Sequence, residues 1–329
     1  MRVAVIGVTG LVGGLIIKEL EDRKFPINEL IAVSSDFSLG KEIFFRDKKH
    51  VIVDIEQALY LLPDIAFFSA EEKISKKWAP IFATRGTIVI DNSSAFRMDN
   101  KTKLIVPEIN AHIISKRDKI IANPNCSTIQ LVIILNTLHK KYVINRVIVS
   151  TYQSITGSGK KSIDQLITDS QGISTERIYP HPIYQNSLPQ CDFFEDKGYT
   201  KEEFKLIKET IKIMDVASMK ITATSIRMPV LGGHSESVNI TFEKDFNIDD
   251  LRLLLRKSSG IIVQDDPLDN VYPMPIKTHG EDKVFIGRLR SDLSYEKTIN
   301  AWIVSDNLKK GAATNAVQIA EYLVENFQY

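Results

Sequence analysis

Arg2-Val-Ala-Val-Ile6-Gly7-Val-Thr9-Gly10-Leu11-Val12-Gly13 opens the chain, and its reading decides the fold. A β-branched run comes first and glycines follow at Gly7, Gly10 and Gly13. Leu11, Val12, Leu15, Ile16 and Leu20 then recur at helical spacing. Strand, glycine turn and helix in this order predict the first βα unit of a dinucleotide-binding fold. Glycines let the backbone turn sharply and approach a pyrophosphate, whose charge meets the helix N-terminus. The spacing is GxxGxxG and not the commoner GxGxxG, so its place at the first strand carries most of the weight. A glycine turn that holds no ligand is the bland alternative.

Working outward, Leu30–Val33 reads as the second strand. It ends in Ser34-Ser35-Asp36-Phe37-Ser38, where such folds meet the adenosine ribose. Asp36 there favours a free 2′-hydroxyl and hence NAD, whereas the serines and Lys41 suit a 2′-phosphate, so both cofactors stay open. Further strands are predicted at Val51–Val53, Ile65–Phe68 and Thr87–Ile90, alternating with connections as a parallel sheet demands. Ile120–Ala122 leads into Asn123-Pro124-Asn125-Cys126-Ser127-Thr128. After that cysteine, Ile129, Val132, Ile133, Leu135 and Leu138 recur at helical spacing, with Asn125 or Ser127 as the cap. A thiol over a helix start faces unpaired N–H groups and the positive end of the helix dipole, which favour the thiolate. The alternative is a small buried hydrophobe.

The texture changes after about residue 145. Arg146–Tyr152 reads as a strand, followed by Gly157-Ser158-Gly159 and a charged helix from Lys160 to about Ser170. Residues 172–199 are proline-bearing and aperiodic, a long excursion of the kind that serves a site or an interface. Lys201–Met214 is a charged helix; Thr222–Pro229, Glu236–Phe242 and Lys283–Leu289 are strand-like. The fold class is therefore α/β: a Rossmann-type dinucleotide-binding domain plus a mixed α+β catalytic and dimerisation domain. The expected boundaries are 1–127 for the first, with a C-terminal helical stretch over 305–329 packing back on it, and 128–304 for the second. The sheet of the second domain needs a covering partner on one face, such as a second subunit.

Composition narrows the function. The 329 residues carry 43% hydrophobic and 25% charged residues with a net charge of +1, ordinary for a soluble globular protein. Balanced charge gives no case for nucleic acid, and no basic helix face or long apolar run suggests a membrane. Two cysteines in a chain of this size, neither in a CxxC, fit a reduced cytoplasmic protein without a structural zinc site. No metal is expected.

Several stretches together carry a specific resemblance. They are Asn125-Cys126-Ser127, Gln153, Arg227-Met-Pro-Val-Leu-Gly-Gly-His234-Ser-Glu236, Asp91-Asn-Ser-Ser-Ala-Phe-Arg97-Met-Asp99, Val106-Pro-Glu-Ile-Asn110, Gly198-Tyr-Thr-Lys-Glu202-Glu-Phe-Lys205 and Ser305-Asp-Asn-Leu-Lys-Lys-Gly311. In this order, over essentially the whole length, the chain resembles aspartate-β-semialdehyde dehydrogenase. The resemblance implies reductive dephosphorylation of 4-phospho-L-aspartate to the semialdehyde with NADP, or NAD, toward lysine, threonine and methionine. It also implies a homodimer or a tetramer of such dimers.

An acyl phosphate is most easily reduced through a thioester, which calls for a thiolate, an acid/base, an anion clamp and a fixed nicotinamide. By the resemblance, Cys126 is the nucleophile, His234 the acid/base and Gln153 the side chain that orients the acyl group. Arg227 resembles the clamp for the substrate carboxylate and Glu202 the ammonium partner. Arg97 and Lys205 resemble the phosphate clamp, and Asn125 adjoins the nucleophile. Glu202 and Lys205, three apart on a helix, share a face; without the motif they would read as a surface ion pair. On the cofactor side the resemblance implies Gly7, Thr9, Gly10, Leu11, Val12 and Gly13 at the pyrophosphate. Ser34, Ser35 and Ser38 fall at the ribose, with Thr156, Gly157 and Asn307 near the nicotinamide.

Two departures fall on the cofactor side. Ser69-Ala70 is followed by Glu71-Glu72 where the family commonly has glycines, and Ser34–Ser38 lacks the family's arginine for the 2′-phosphate. The nearest competitor, N-acetyl-γ-glutamyl-phosphate reductase, has no use for the ammonium partner Glu202. A non-catalytic dinucleotide sensor of the same fold would not need Cys126, Gln153 and His234 together, and a glyceraldehyde-phosphate-type enzyme should lack the Arg227–His234 spacing.

Overall fold

In the computed structural model, which describes residues 1–173 and 177–327, the opening run forms the strand Arg2–Ile6. It lies inside a parallel sheet, between Glu29–Val33 and Ile65–Phe68, with Val5 opposite Ala32 and Phe67. The full order is 29–33, 2–6, 65–68, 88–91, 120–122 and 103–104, every neighbouring pair parallel. Because side chains alternate along a strand, Val3 and Val5 enter one core while Ala4 and Ile6 enter the other. The first core is closed by the helices Leu11–Asp22 and Thr314–Phe327; the second is closed by Ile55–Tyr60 and Glu72–Thr84. A near-continuous apolar run is what a strand covered on both faces requires.

Two of the glycines in the opening turn are there for steric reasons. Gly7 has φ +85°, and a Cβ on it would lie 2.1 Å from the Ser69 carbonyl oxygen. At Gly13 a Cβ would lie 2.1 Å from the Gly7 carbonyl oxygen, so the helix packs directly on the turn. Gly10 precedes the helix as its N-cap and makes no side-chain cap bond, and a Cβ there would meet only the Gly7 oxygen at 3.3 Å.

The chain divides into two compact units, Met1–Asn125 with Ala312–Tyr329, and Cys126–Gly311; residues 328–329 of the expected C-terminal stretch lie outside the described residues. The second unit is built on a mixed sheet ordered 220–228, 144–154, 234–242, 298–305, 284–291 and 261–263. Its first pair is parallel, placing Gln153 opposite Arg227. The next is antiparallel, placing Ser235 opposite Tyr152, and His234 faces Ser305 on the other side. The helix Cys126–Tyr142 is buried on every side through its first half, from Ser127 to Leu135. The helix Lys201–Met214 is set by a capping box. Thr200 Oγ1 accepts from Glu203 N at 3.3 Å while Glu203 Oε2 accepts from Thr200 N at 2.7 Å. Glu203 Oε1 also accepts from Ser225 N at 2.8 Å, which ties this helix to the sheet edge and fixes its rotation.

One expected strand is absent from the first sheet. Residues 48–51 pair antiparallel with Glu42–Phe45 in a separate hairpin, and the segment joins the sheet only through a single bridge, Val53 to Val33. The cause is the turn at Arg46 and Asp47, both at positive φ (50° and 59°), a hairpin geometry usually carried by glycine or asparagine. Thr298–Ser305, an interior strand of the second sheet, was not expected; nor was Ile261–Val263 at its edge.

Adjacent glycines in the first helix separate packing from propensity. Gly13→Ala should destabilise the chain by about 1–3 kcal/mol, since neither backbone can give way. Gly14→Ala, whose Cβ meets only the Val8 carbonyl oxygen at 3.8 Å, should stabilise it by about 0.5–1 kcal/mol. Urea unfolding of the two variants checks this, and equal effects would contradict the close approach at Gly13.

Candidate active site

The parallel pair that aligns Gln153 with Arg227 ends at Ser154, and the site is assembled on that residue. Ser154 N–H donates to His234 Nδ1 at 3.0 Å. Its carbonyl oxygen accepts from Arg227 Nη1 at 2.7 Å, and its hydroxyl oxygen accepts from Gly232 N at 2.9 Å and Thr156 N at 3.2 Å. Three polar groups of one residue thus hold the histidine, the arginine and the loop before the histidine. The Gly232-Gly233 pair, at φ +79° and +78°, lets that loop turn into the strand.

Gln153 lies one residue back, on the face covered by the helices. Its amide nitrogen is 3.1 Å from Ser127 Oγ, 3.1 Å from Glu202 Oε1 and 3.3 Å from Thr151 Oγ1. Ser127 follows Cys126, the first residue of its helix, so Gln153 links the turn of Cys126 to Glu202 on the helix Lys201–Met214. Ser127 therefore lies within the helix and not at its cap. Glu202 Oε2 reaches Lys205 Nζ at 3.2 Å, and Lys205 Nζ also donates to Asp192 Oδ2 at 2.7 Å. Asp192 belongs to the long excursion and was not expected at the site; nothing in an aperiodic loop distinguished it. Gly311 packs against Cys126, since a Cβ on it would lie 2.9 Å from Cys126 Cβ.

Most of these charges are buried: Arg227 is 6%, Glu202 7% and His234 0% exposed. Burial first, and then the Arg227 guanidinium, push the His234 imidazole down to about 3, against an opposing pull from Glu202 and the Gly233 carbonyl. The second cysteine, Cys191, is buried among Arg227, Glu202 and Glu203, and burial pushes its thiol up to about 12. It stays protonated and inert at neutral pH.

Cys126, Gln153, Thr156, Gly157, Glu202, Lys205, Arg227, His234 and Asn307 all belong to the second unit. Asn307 accepts from Gly233 N at 3.2 Å and its amide nitrogen donates to Thr156 Oγ1 at 3.1 Å, so both side chains brace the histidine loop. In the first unit, Thr9 Oγ1 and Ser34 Oγ are 2.8 Å apart at the open side of the glycine turn. Leu11 and Val12 begin the helix there. Ser35 and Ser38 are at a short 3-10 turn after the second strand, and Asn125 is buried at the unit's end. Arg97, 8% exposed, donates from Nη2 to the Asn92 carbonyl oxygen at 2.7 Å and lowers the burial-raised pKa of Asp91. Among the described residues no His, Cys, Asp and Glu cluster is arranged to hold a metal, and no helix is long and apolar enough to cross a membrane.

A dinucleotide-binding unit joined to a mixed-sheet unit with a cysteine at a helix start and a buried histidine defines a class, the semialdehyde dehydrogenases. A family profile described as "Semialdehyde dehydrogenase, NAD binding domain" matches residues 2–117, and "Semialdehyde dehydrogenase, dimerisation domain" matches 135–310. Aspartate-semialdehyde dehydrogenase of Aquifex aeolicus is 46% identical over 98% of this chain and 98% of its own. That of Bacillus subtilis is 44% identical over 98% and 97%. The crystal structure of aspartate semialdehyde dehydrogenase II from Vibrio cholerae complexed with ASA is similar at a TM-score of 0.95 and 40% identity, covering 99% and 98% of the two chains. The chain belongs to the aspartate-semialdehyde dehydrogenase family.

The motif's last residue, Glu236, raises a separate point. It is 0% exposed, and neither its oxygens nor the side-chain polar atoms of neighbouring Gln130 have a hydrogen-bond partner. Burial raises its pKa well above the ordinary 4.5, against an opposing pull from the Gln130 side chain. The folded chain therefore keeps a proton that the unfolded chain releases, and this contribution to stability is fully present below 4.5 and lost as pH rises. Glu236→Gln should stabilise the chain by roughly 1 kcal/mol or more at about pH 8 and by much less at about pH 5. Urea unfolding at the two pH values measures it; an offset independent of pH would mean that Glu236 is ionised in the fold.

Proposed function

We propose that this chain catalyses the NAD(P)-dependent reductive dephosphorylation of 4-phospho-L-aspartate to L-aspartate 4-semialdehyde through a thioester on Cys126. The reaction is reversible and phosphate-dependent, and lies on the route to lysine, threonine and methionine. The observation that carries the reading is the assembly of Gln153, Arg227 and His234 around Ser154, with Gln153 reaching both the turn of Cys126 and Glu202. The ammonium partner Glu202 disfavours an N-acylated substrate.

Cys126 attacks the acyl phosphate carbon, with the first turn of its helix stabilising the sulfur's negative charge. Gln153 orients the acyl group. Arg227 Nε is buried without a hydrogen-bond partner, a donor that a substrate carboxylate would satisfy, and a fork suits such a carboxylate better than a point charge. Glu202 takes the ammonium; Lys205 and Arg97 take the phosphate. On the cofactor side, the open helix start at Gly10, with Thr9, Leu11 and Val12, fits a pyrophosphate, and Ser34, Ser35 and Ser38 adjoin the ribose. Thr156, Gly157 and Asn307 are the residues assigned to the nicotinamide. The cofactor, NADP or NAD, supplies the hydride when bound. The unit Met1–Asn125 with Ala312–Tyr329 is the cofactor domain and the unit Cys126–Gly311 the catalytic and dimerisation domain.

The chain works in the cytoplasm as a homodimer or a tetramer of dimers. The sheet face opposite the helices supports a second copy. Its Tyr152 and Trp302 rings stand 5.5 Å apart and only partly buried, beside a cavity of about 490 Å³ lined by Tyr272, Met274 and Arg290.

Purified protein should oxidise aspartate semialdehyde only when phosphate is present, with NADP and NAD tested side by side; no signal with either refutes the activity. Cys126→Ala should abolish turnover, and retained turnover would remove the thioester. Arg227→Lys should lower kcat/KM by about 10²-fold while dinucleotide binding persists, and a wild-type value would take Arg227 out of the substrate site.

A further inference from the structure

We propose that Glu236 is a positioning residue of the active site: as a neutral carboxylic acid it forms a cyclic pair with the amide of Gln130, and that pair sets the separation of Cys126 from His234. Its effect on turnover rests on the reading of Cys126 as the nucleophile.

Two regular spacings bring the pair beneath the site. Gln130 lies four residues after Cys126 on the helix Cys126–Tyr142, so it shares the face of the thiol and stands about 6 Å further along the axis. Glu236 lies two residues after His234 on the strand His234–Phe242, so it shares the face of the imidazole and stands about 6.6 Å further along. The side chains of Gln130 and Glu236 are neighbours between helix and sheet. Two nearly equal steps back from that contact, one along the helix and one along the strand, lead to Cys126 and His234. The four residues are two rungs of one ladder, and the lower rung is sealed from solvent, with Gln130 1% and Glu236 0% exposed.

The polar atoms of the lower rung match one another. Glu236 Oε1 and Oε2 and Gln130 Oε1 and Nε2 are all buried without a hydrogen-bond partner. A neutral carboxyl group offers one O–H and one C=O, and a primary amide offers N–H and C=O, so two hydrogen bonds join them in a ring that leaves none of the four unpaired. The last torsion of each side chain is soft, and rotation about it closes the ring. An ionised carboxylate only accepts, and it sets an oxygen against the amide oxygen of Gln130. Among the described residues facing Glu236, Thr151 and Ile303 on the neighbouring strands and residues 127–135 of the helix carry no charge. The titratable groups closest along the two elements are Cys126 and His234 themselves. Burial without a cation keeps the carboxyl group protonated, in line with its raised pKa.

A ring of two hydrogen bonds fixes distance and direction together. Hydrophobic contact is non-directional, so apolar side chains in both places hold the layers together without fixing how far the helix slides along the strand. A slide of about 1 Å at the lower rung carries the thiol with it, and a misplacement of that size costs about 10²-fold in rate.

Two measurements test the proposal. Difference infrared spectra of wild type against Glu236→Gln at neutral pH should show the C=O stretch of a protonated carboxyl group; carboxylate bands in its place overturn the neutral pair. Kinetics of phosphate-dependent aspartate semialdehyde oxidation then separates positioning from packing. Glu236→Gln, which closes the same ring through two amides, should keep kcat within about twofold of wild type. Glu236→Leu leaves Gln130 unpaired and should lower both stability and kcat. Gln130→Leu with Glu236→Leu removes both polar groups, so urea unfolding should return toward wild type, while kcat stays about 10²-fold down and KM for aspartate semialdehyde changes by less than about threefold. A double variant that regains kcat along with stability, or a Glu236→Gln variant as slow as the double, reduces the pair to packing and overturns the proposal. A wild-type protein that shows no such oxidation refutes the activity itself, and the infrared band still decides the acid–amide pair, which separates the two failures.

Discussion

The end of one strand governs the catalytic unit. Ser154 closes the run Ile144–Ser154 between a parallel and an antiparallel neighbour. At that point its N–H, C=O and hydroxyl are released from sheet pairing and given to His234, Arg227 and the Gly232 loop. Buried main-chain groups must find partners, and here these are the His234 imidazole, the Arg227 guanidinium and the Gly232 loop. Moving the register by one residue would turn Gln153 out of the helix-covered face and aim another residue's N–H at the imidazole. Sheet stability and site geometry are thus one constraint.

Around that point the unit holds its charges in a dry space. Glu202 joins Gln153 and Lys205, Lys205 joins Asp192, and Arg227 stands next to a neutral histidine. A buried carboxylate or guanidinium is tolerated only when hydrogen-bonded, and the network meets that condition while leaving Arg227 Nε and His234 Nε2 without a hydrogen-bond partner. Those two atoms mark where a substrate has most to satisfy. Cys191 shares the space yet is kept as a thiol by burial, so two cysteines in one unit differ in chemistry through their surroundings.

The opening stretch was legible because both of its signals are local. Hydrophobic period distinguishes strand from helix, and Gly7 and Gly13 are positions where a Cβ collides with backbone. The motif residues Cys126, Gln153, Glu202, Arg227 and His234 were legible as types matched to a chemistry. The hairpin at 42–51 was not, because Arg46 and Asp47 adopt positive φ without the residues that usually announce it. Thr298–Ser305 was missed since an interior strand buried on one face and partnered on both edges looks, in isolation, like any short apolar run. Asp192 and Ser154 were missed because their roles come from partners 13 and 80 positions away in sequence.

By itself, then, the amino-acid order determined the element types, the glycine turn over a helix start, and the inventory of nucleophile, imidazole, guanidinium and carboxylate. Those follow from local sterics and from the chemistry of each side chain. Only the tertiary structure decided that the Ser154 N–H meets the His234 ring, which atom of Arg227 awaits an acceptor, and that Thr156 and Asn307 brace a loop. Each of these depends on what a distant strand or turn presents across a few ångströms, and distance in space is the quantity that a sequence does not contain.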